Sequence, residues 1–519
     1  MEKNNDCIFP KIIFLDHDYT PANFSFSHLK LHDIPRTQVL CEAAEKAGFF
    51  AKTGLLTHYK SGDWESEGGY YDRRYGYDDD DDEDDIKNGS MGEIFEEYEH
   101  IEHWIAGTFP DLGDFVIENE NIIGENIIGE GEPHHYEYEG YTGNAGMTME
   151  YWYYYGCIVL WPKAKTLDIL KTLNISVNLK WLKYYTELNN NNDTSSKNII
   201  RQILLNIAGS DKFYKVADTN PVAQALIYLN DEEFIKNSCS NLLIECFSMI
   251  DENNWEQLLN KYNPEIFEQI FGDTKIINDY FSIYRLFSIL DKIPADNKHL
   301  ASFIQNQTDK IPQYIGNINF KQNKDSDYNY NTHIHNKQSR KEIIMNIFYK
   351  LISFGTVRKN DDKWITEIVD TLTQNQERKY VNEVLITVLK NSKEKGKLYD
   401  LLYEKCLKNL SDRVNNKPQP LPDWKREVPK SGNFTEQWKI IKDFLESPVQ
   451  KTFEYKRLQE IRRQMEYAIL NSEIDLEFTT IKKGSPHTML ITKNNANYQR
   501  ELKDWKEDAD LLKSLNSES

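Results

Sequence analysis

Histidine set beside glutamate is the pairing in this chain with the most chemistry in it. His100-Ile101-Glu102 and His135-Tyr136-Glu137 both read H-x-E, His103 follows His100 by three residues, and His134 adjoins His135. Imidazole and carboxylate together suit Fe(II), Zn or Mn, and a facial triad needs one such pair plus a distal histidine on the same jelly roll. For His135 and Glu137 the next histidine is His299, inside a segment of helical pattern, which is the wrong context for a third ligand. For His100 and Glu102 the next are His134 and His135, and the stretch between is short and broken by glycines, with little room for the intervening strands. The pairs are therefore read as solvated surface side chains.

Other constellations are weaker. The sequence has no H-x-D, no G-x-S-x-G, no H-E-x-x-H, no C-x-x-C and no G-x-x-x-x-G-K-[ST]. The run Tyr151-Trp152-Tyr153-Tyr154-Tyr155 reads as core plus one amphipathic face rather than a stacking platform. Gly143-Asn144-Ala145-Gly146 reads as a tight connection rather than a backbone nest for an anion. No catalytic, cofactor-binding or metal-ligating residue is assigned, and no cofactor is expected.

Charge is distributed very unevenly. Residues 59–150 hold 27 Asp/Glu against 4 Lys/Arg, a net of −23, while the whole chain is −21. Inside that block, Asp78 to Asp85 is an unbroken acidic run with Glu83 as its one non-Asp. Eight adjacent carboxylates repel one another and bury nothing, so a solvated, disordered insertion over about 60–92 is expected. Its sharper reading is a docking surface for a basic partner or a loose cation site. Phosphate binding needs positive charge, and over 451–513 twelve Lys/Arg nearly balance eleven Asp/Glu, so no nucleic-acid partner is expected.

The six cysteines are scattered, and only Cys239 and Cys246 are close, at i, i+7 on one helix face. This usage fits free, buried thiols in a reducing compartment. With no apolar leader and no stretch long enough to span a membrane, a cytoplasmic location, or a nuclear one, and no membrane partner are expected.

The elements that must position these residues fall into three regions. Residues 1–162 read as an α+β head. Here 11–15 is a strand. Pro35 opens a helix with Val39, Leu40, Ala43, Ala44 and Ala47 at helical spacing, closed by Gly48. Residues 52–59 resume a strand, and 120–129 repeat Glu-Asn-Ile-Ile-Gly in tandem, each copy ending in a turn residue. The apolar run 156–162 predicts a strand buried on both faces and stopped by Pro162. Residues 163–412 read as a helical, repeat-like domain without a clean period, an irregular stack of the α-solenoid or layered-bundle kind. Helices are expected over 222–229, 232–250, 275–290, 341–354, 363–372 and 380–389, with Pro221, Asp251 and Pro264 at starts. The polar stretch 322–339, with His333 and His335, reads as a loop. Residues 413–432, with four prolines, read as a semi-rigid linker. Residues 433–519 read as a small α+β domain of order βαββα. It holds a helix over 435–445, a strand over 451–456, a helix with Leu458, Ile461, Met465, Ala468 and Ile469 on one face, strands 474–481 and 487–492 joined through Gly484-Ser485-Pro486, and a closing helix. The fold class is mainly α, a helical stack flanked by an N-terminal α+β domain and a small C-terminal α+β domain.

Three segments together carry a family resemblance. They are 15–47 (Leu-Asp-His-Asp-Tyr-Thr-Pro-Ala-Asn-Phe-Ser-Phe, then an alanine-rich helix), 139–162 (Tyr-Thr-Gly-Asn-Ala-Gly-Met-Thr-Met-Glu-Tyr-Trp-Tyr, then Val-Leu-Trp-Pro) and 482–500 (Lys-Lys-Gly-Ser-Pro-His-Thr-Met-Leu-Ile-Thr-Lys, then Tyr-Gln-Arg). The chain resembles the long C-terminal portion of large microbial and fungal proteins that carry a prolyl-hydroxylase-like Fe(II)/2-oxoglutarate oxygenase domain near their N-termini. In that family the oxygenase domain precedes the first segment; here 14 residues do, with no room for a jelly roll, so no catalytic residue carries over. The resemblance implies an accessory region standing alone, whose role in that family is undefined. The expected function is a non-catalytic interaction or scaffold protein with a protein partner, an oxygenase subunit being one candidate. The alternative is an accessory subunit or split half of such a dioxygenase whose catalytic part is on another chain. A third reading is a divalent-cation sensor that uses the acidic run.

Overall fold

The computed structural model describes residues 9–66, 89–139, 147–188, 194–209, 218–294, 296–317, 339–429 and 434–518. The acidic run 78–85, the Gly143–Gly146 turn, and His333 and His335 lie outside the described residues. The fold is mainly α, with an N-terminal antiparallel sheet and a small three-stranded C-terminal sheet with helices. The chain divides into two compact units, with the boundary between Ile343 and Ile344 inside the Arg340–Val357 helix.

In the first unit, strands β1 (Lys11–Asp18), β2 (Phe49–Ser66), β3 (Gly89–Trp104), β4 (His135–Glu139) and β5 (Thr148–Pro162) form one antiparallel sheet. Its order is β1-β5-β2-β3, and β4 pairs with β5 further along the edge that β1 occupies. The run 156–162 is interior as expected: Cys157, Ile158, Val159 and Trp161 are fully buried between β1 and β2. An unbranched or polar run would not fill both faces of a central strand.

Helix α1 (Asp33–Lys46) lies across one end of the sheet. Leu15, Tyr19, Leu29, Leu55 and Ile158 form the core there, with Ile34 and Leu40 of the helix packed on it. The buried stripe is not the expected alanine-rich one: Asp33 and Thr37 are buried, whereas Val39 is 64% exposed. Asp33 is admitted because its carboxylate is saturated. It accepts from Asp16 N (2.9 Å), His17 N (3.2 Å), His17 Nδ1 (3.0 Å) and the Tyr19 hydroxyl (2.8 Å), which itself accepts from Lys30 N (2.8 Å). Burial by itself raises a carboxyl pKa. Here the bonds from Asp16, Tyr19 and His17 outweigh it and hold Asp33 below its ordinary value. Gly48 ends the helix at φ 79°, a conformation that favours glycine.

The tandem repeat forms no regular strand. Gly124 and Gly129 both take positive φ, as the turn reading requires, but the copies serve differently. Asn121 is buried and bonds Pro10 O (2.8 Å), and Ile122 bridges Ile12, while Asn126 is exposed and bonds Asn119 (2.7 Å).

Helices follow from Thr166 onward. Five of them begin on an aspartate whose side chain accepts a backbone N–H: Asp231 from Phe234, Asp251 from Asn254, Asp273 from Lys275, Asp279 from Ser282 and Asp361 from Trp364. Each such cap contributes about 1 kcal/mol. Asp279 also explains why the expected 275–290 helix is two pieces, Thr274–Ile277 and Tyr280–Lys292. The expected 232–250 and 380–389 helices each contain a π turn, at Ile235–Cys239 and Val381–Ile386. Cys239 and Cys246 are both buried, and His299 sits in the turn before the Ala301–Asp309 helix rather than in a helix. Phe247, Trp255, Phe267, Phe271 and Phe303 form an aromatic core in this part of the first unit, edge-to-face except for the tilted Phe247–Trp255 pair.

The second unit ends in the expected βαββα order. Strands β6 (Thr452–Lys456), β7 (Leu476–Ile481) and β8 (Thr488–Lys493) form an antiparallel sheet of order β6-β8-β7. In the Gln459–Leu470 helix, Met465, Ala468 and Ile469 face inward, but Leu458 and Ile461 are exposed and Arg462 takes the next inward position. Lys493 is fully buried and donates to the carbonyls of Phe444, Leu445 (3.1 Å) and Ser447 (2.9 Å), capping the end of the Lys442–Glu446 helix. Burial and the neighbouring Arg426 push its pKa down to about 8. Of the proline-rich stretch, Trp424 N bonds Pro448 O (3.0 Å) and Arg426 N bonds Leu445 O (2.8 Å), fastening it to this α+β unit. Among the described residues no helix is long and apolar enough to cross a membrane.

Candidate functional site

The sheet of the first unit is much longer than the helix laid on it. Beyond Tyr154, on the face that carries α1, the strands continue and present side chains outward. One row crosses four strands in direct register: His135 on β4 opposes Trp152 on β5, Trp152 opposes Tyr59 on β2, and Tyr59 opposes Tyr98 on β3. Residues directly opposite in an antiparallel pair share a face, so the four rings form a ladder. Their centroids are 5.1, 5.3 and 4.9 Å apart in turn, with interplanar angles of 39°, 57° and 31°. His100 extends the ladder along β3, 5.2 Å from Tyr98. Tyr98 and His135 are exposed, Trp152 is half-buried and Tyr59 is 9% exposed.

Carboxylates flank the rings. Two residues further along each strand lies a second in-register row, Glu137, Glu150, Ser61 and Glu96. Two residues along a strand is about 6.8 Å, within reach of one ligand group. On the other side, Glu102 is the extra residue of a β-bulge, because Leu55 pairs with His103 while Leu56 pairs with Ile101. These carboxylates act on the neighbouring phenols. Burial raises the Tyr98 pKa, and Glu96, Glu102 and Glu150 raise it further. Tyr154 is raised by burial and then by Glu102 and Glu137, and Tyr59 by burial and by Glu150, against a lowering bond from Ser61.

The histidines singled out from sequence belong to this surface in two separate groups. Glu102 bonds His100 Nε2 through one oxygen (2.6 Å) and approaches His103 Nε2 with the other (3.6 Å). His135 Nε2 lies 3.1 Å from Glu137, and His134 Nδ1 accepts from Tyr154 N (3.1 Å). β3 and β4 are separated by β2 and β5, three strand spacings of about 4.8 Å each. Among the described residues no group of three or more His, Cys, Asp or Glu side chains is arranged to hold a metal ion. The Tyr/Trp run alternates as expected, with Tyr153 and Tyr155 buried on one face and Trp152 and Tyr154 on the other. Sequence reasoning did not bring Tyr59 and Tyr98 to Trp152. The signal was there in part, since Tyr59 and Tyr98 are each a lone aromatic residue among polar neighbours.

The opposite face carries a different cluster. His58 is buried, its Nδ1 3.1 Å from Glu99 and its Nε2 3.3 Å from Glu97, which also pairs with Lys60 (3.2 Å). Burial and Lys60 lower the His58 pKa, against the pull of the two glutamates. These charges are paired in the interior, whereas on the ladder face Glu102 and Glu137 each bond a histidine at the surface, beside the exposed ring of Tyr98.

Compared with family models, with curated proteins and with solved structures, the chain matches none.

Proposed function

We propose that this chain is a non-catalytic interaction protein and that the aromatic, acidic half of its N-terminal sheet is the surface that meets a basic protein partner. One observation carries the reading: four in-register rings on an outward sheet face, bordered by Glu96, Glu102, Glu137 and Glu150. Aromatic side chains supply large contact area at low entropic cost, and complementary charge steers the encounter. The helical part would serve as the body that such a scaffold holds against other proteins.

The resemblance to the accessory region of prolyl-hydroxylase-like oxygenase proteins gives a second reading, an accessory subunit of a dioxygenase whose catalytic part is on another chain. Its support is that two of the three segments carrying the resemblance lie together, β1 paired with β5 and α1 packed on the core they share.

A photo-crosslinking residue in place of Tyr98, introduced in the native cell, tests the first reading. It is expected to capture a defined polypeptide, and the combined Glu96→Lys, Glu137→Lys and Glu150→Lys variant is expected to lose that product while keeping its circular dichroism. An unchanged product in the charge-reversed variant, or none in either, refutes it. For the second reading, addition of this chain to a separately encoded oxygenase must alter turnover of 2-oxoglutarate to succinate.

A further inference from the structure

Resting on the interaction reading above, we infer that the ladder face recognises arginine side chains of an extended protein segment, each guanidinium stacked on a ring and bonded at its edge by a flanking glutamate.

The first support is electrostatic. A ring face attracts a cation through its quadrupole, and the tyrosine and tryptophan faces lie at the centre of the row. Glu137, Glu150 and Glu96 run beside them and Glu102 closes the other side. That surface repels phosphates and anionic headgroups and suits a cation.

The second support is geometric and separates arginine from lysine. A guanidinium is planar, stacks flat on an aromatic ring and presents N–H groups at its rim, where a carboxylate can take two at once. An ammonium is a compact point charge that cannot do both. Tyr98 offers an exposed ring beside Glu96 and Glu102, and Trp152 a half-buried one beside Glu150, with the buried Tyr59 between them. The row measures about 15 Å from His135 to Tyr98. An extended peptide carries alternate side chains on one side at about 6.8 Å intervals, so two such arginines on long stems reach Tyr98 and Trp152, which stand about 10 Å apart across Tyr59. A glycan is the other ligand that aromatic rows accept, but a neutral one brings no positive charge to answer the four carboxylates.

The test uses the full chain and a fluorescent peptide of alternating Arg and Thr, with its Lys and citrulline analogues, read by anisotropy at about 0.15 M salt, where long-range attraction to the acidic chain is screened. The Arg peptide is expected to bind severalfold tighter than the Lys peptide and the citrulline peptide not to bind. Tyr98→Leu, which keeps an apolar side chain but removes the quadrupole, is expected to weaken binding about fivefold, and Tyr98→Phe to leave it within about twofold. Equal affinity for Arg and Lys peptides, or an unchanged affinity in Tyr98→Leu, overturns the inference, as does displacement of the peptide by a neutral oligosaccharide. If the peptides do not bind but the crosslinked partner is still lost on charge reversal, the arginine inference falls and the interaction reading stands. If neither behaves as expected, both fall.

Discussion

Replacing Asp33 with asparagine is the sharpest test of how α1 is held to the sheet. The side chain is fully buried and takes four hydrogen bonds, three of them on Oδ2 and the bond from Asp16 N on Oδ1. An amide of the same shape can present its oxygen to the three donors and then turns an NH2 toward the Asp16 N–H. The variant therefore loses one bond outright, sets donor against donor, and weakens the others from charged to neutral. At 1.5–3 kcal/mol for a bond to a charged group and about 1 for a neutral one, the expected loss is about 3 kcal/mol.

The pH dependence of that loss follows from the lowered pKa. Unfolded, an aspartate titrates near about 3.9; folded, Asp33 titrates below its ordinary value. Its contribution is fully present above about pH 4 and is lost as pH falls through the folded value, because only the unfolded chain then gains by taking up the proton. Asparagine has no such dependence, so the gap between wild type and variant must narrow from pH 7 to about pH 3. A chain of two compact units has no single unfolding free energy, so the measurement is hydrogen exchange under mild denaturant on peptides from β1 and α1. A loss below about 0.5 kcal/mol, or one of equal size at both pH values, would show that the carboxylate does not anchor the helix.

Three further outcomes are expected. Lys493→Met takes the donor from Ser447 O and one of two donors from Phe444 O and Leu445 O, which keep the Ser447 and Arg426 N–H groups, and it should cost about 2 kcal/mol in urea titrations followed by exchange in β8. Asp508→Ala removes the carboxylate that accepts from Arg378 Nε (3.0 Å), Arg413 Nε (2.9 Å) and Asn382 (2.6 Å). The loss should be about 3 kcal/mol, the lower end for a broken buried pair, because Arg378 keeps Asp504 and Glu507, and exchange in the Ala496–Glu518 helix reads it. Glu150→Gln should stabilise the β4–β5 pairing by about 0.5 kcal/mol, since Glu137 stands directly opposite, while weakening capture of a basic partner; protection of β4 amides and the crosslink yield check the two effects.

What the sequence disclosed and what it hid divide along physical lines. The 156–162 run was legible because five successive apolar residues, two of them β-branched, stand between a glycine and a proline, too short a stretch for a buried helix. The βαββα tail was legible because its alternation and turn residues are local. Asp251 announced a helix start because capping is decided within three residues. By contrast, the inward face of α1 was misread because Asp33 and Thr37 are buried polar residues, which periodicity counts as solvent-facing. The strand reading stopped at Tyr59, although β2 continues to Ser66 and β3 begins at Gly89. β3 is an edge strand wet on both faces and dense in glutamate, so it shows no hydrophobic alternation. The ladder stayed hidden for a further reason. Which residue of β3 opposes Tyr59 is fixed by a pairing register across a 22-residue connection, and composition says nothing about register.

The ladder has a rival explanation that needs no partner, namely that a sheet end left uncovered uses cross-strand rings for its own cohesion. Helix α1 has 14 residues, about 21 Å, whereas the 18 residues of β2 extend about 60 Å, so much of the strand must find stability without the helix. Aromatic cross-strand pairs worth about 0.5–1.5 kcal/mol each meet that need. Cohesion accounts for part of the row beside them, since Glu137 bonds His135 and Glu150 takes the Tyr59 hydroxyl, but not for how the two carboxylates face each other. Glu137 and Glu150 are directly opposed, and like charges in that position repel. Threonine or glutamine there would serve the sheet better. That opposed pair is what the proposed binding of a cationic partner would explain, and Glu150→Gln separates the two accounts, because cohesion alone leaves the crosslink yield unchanged.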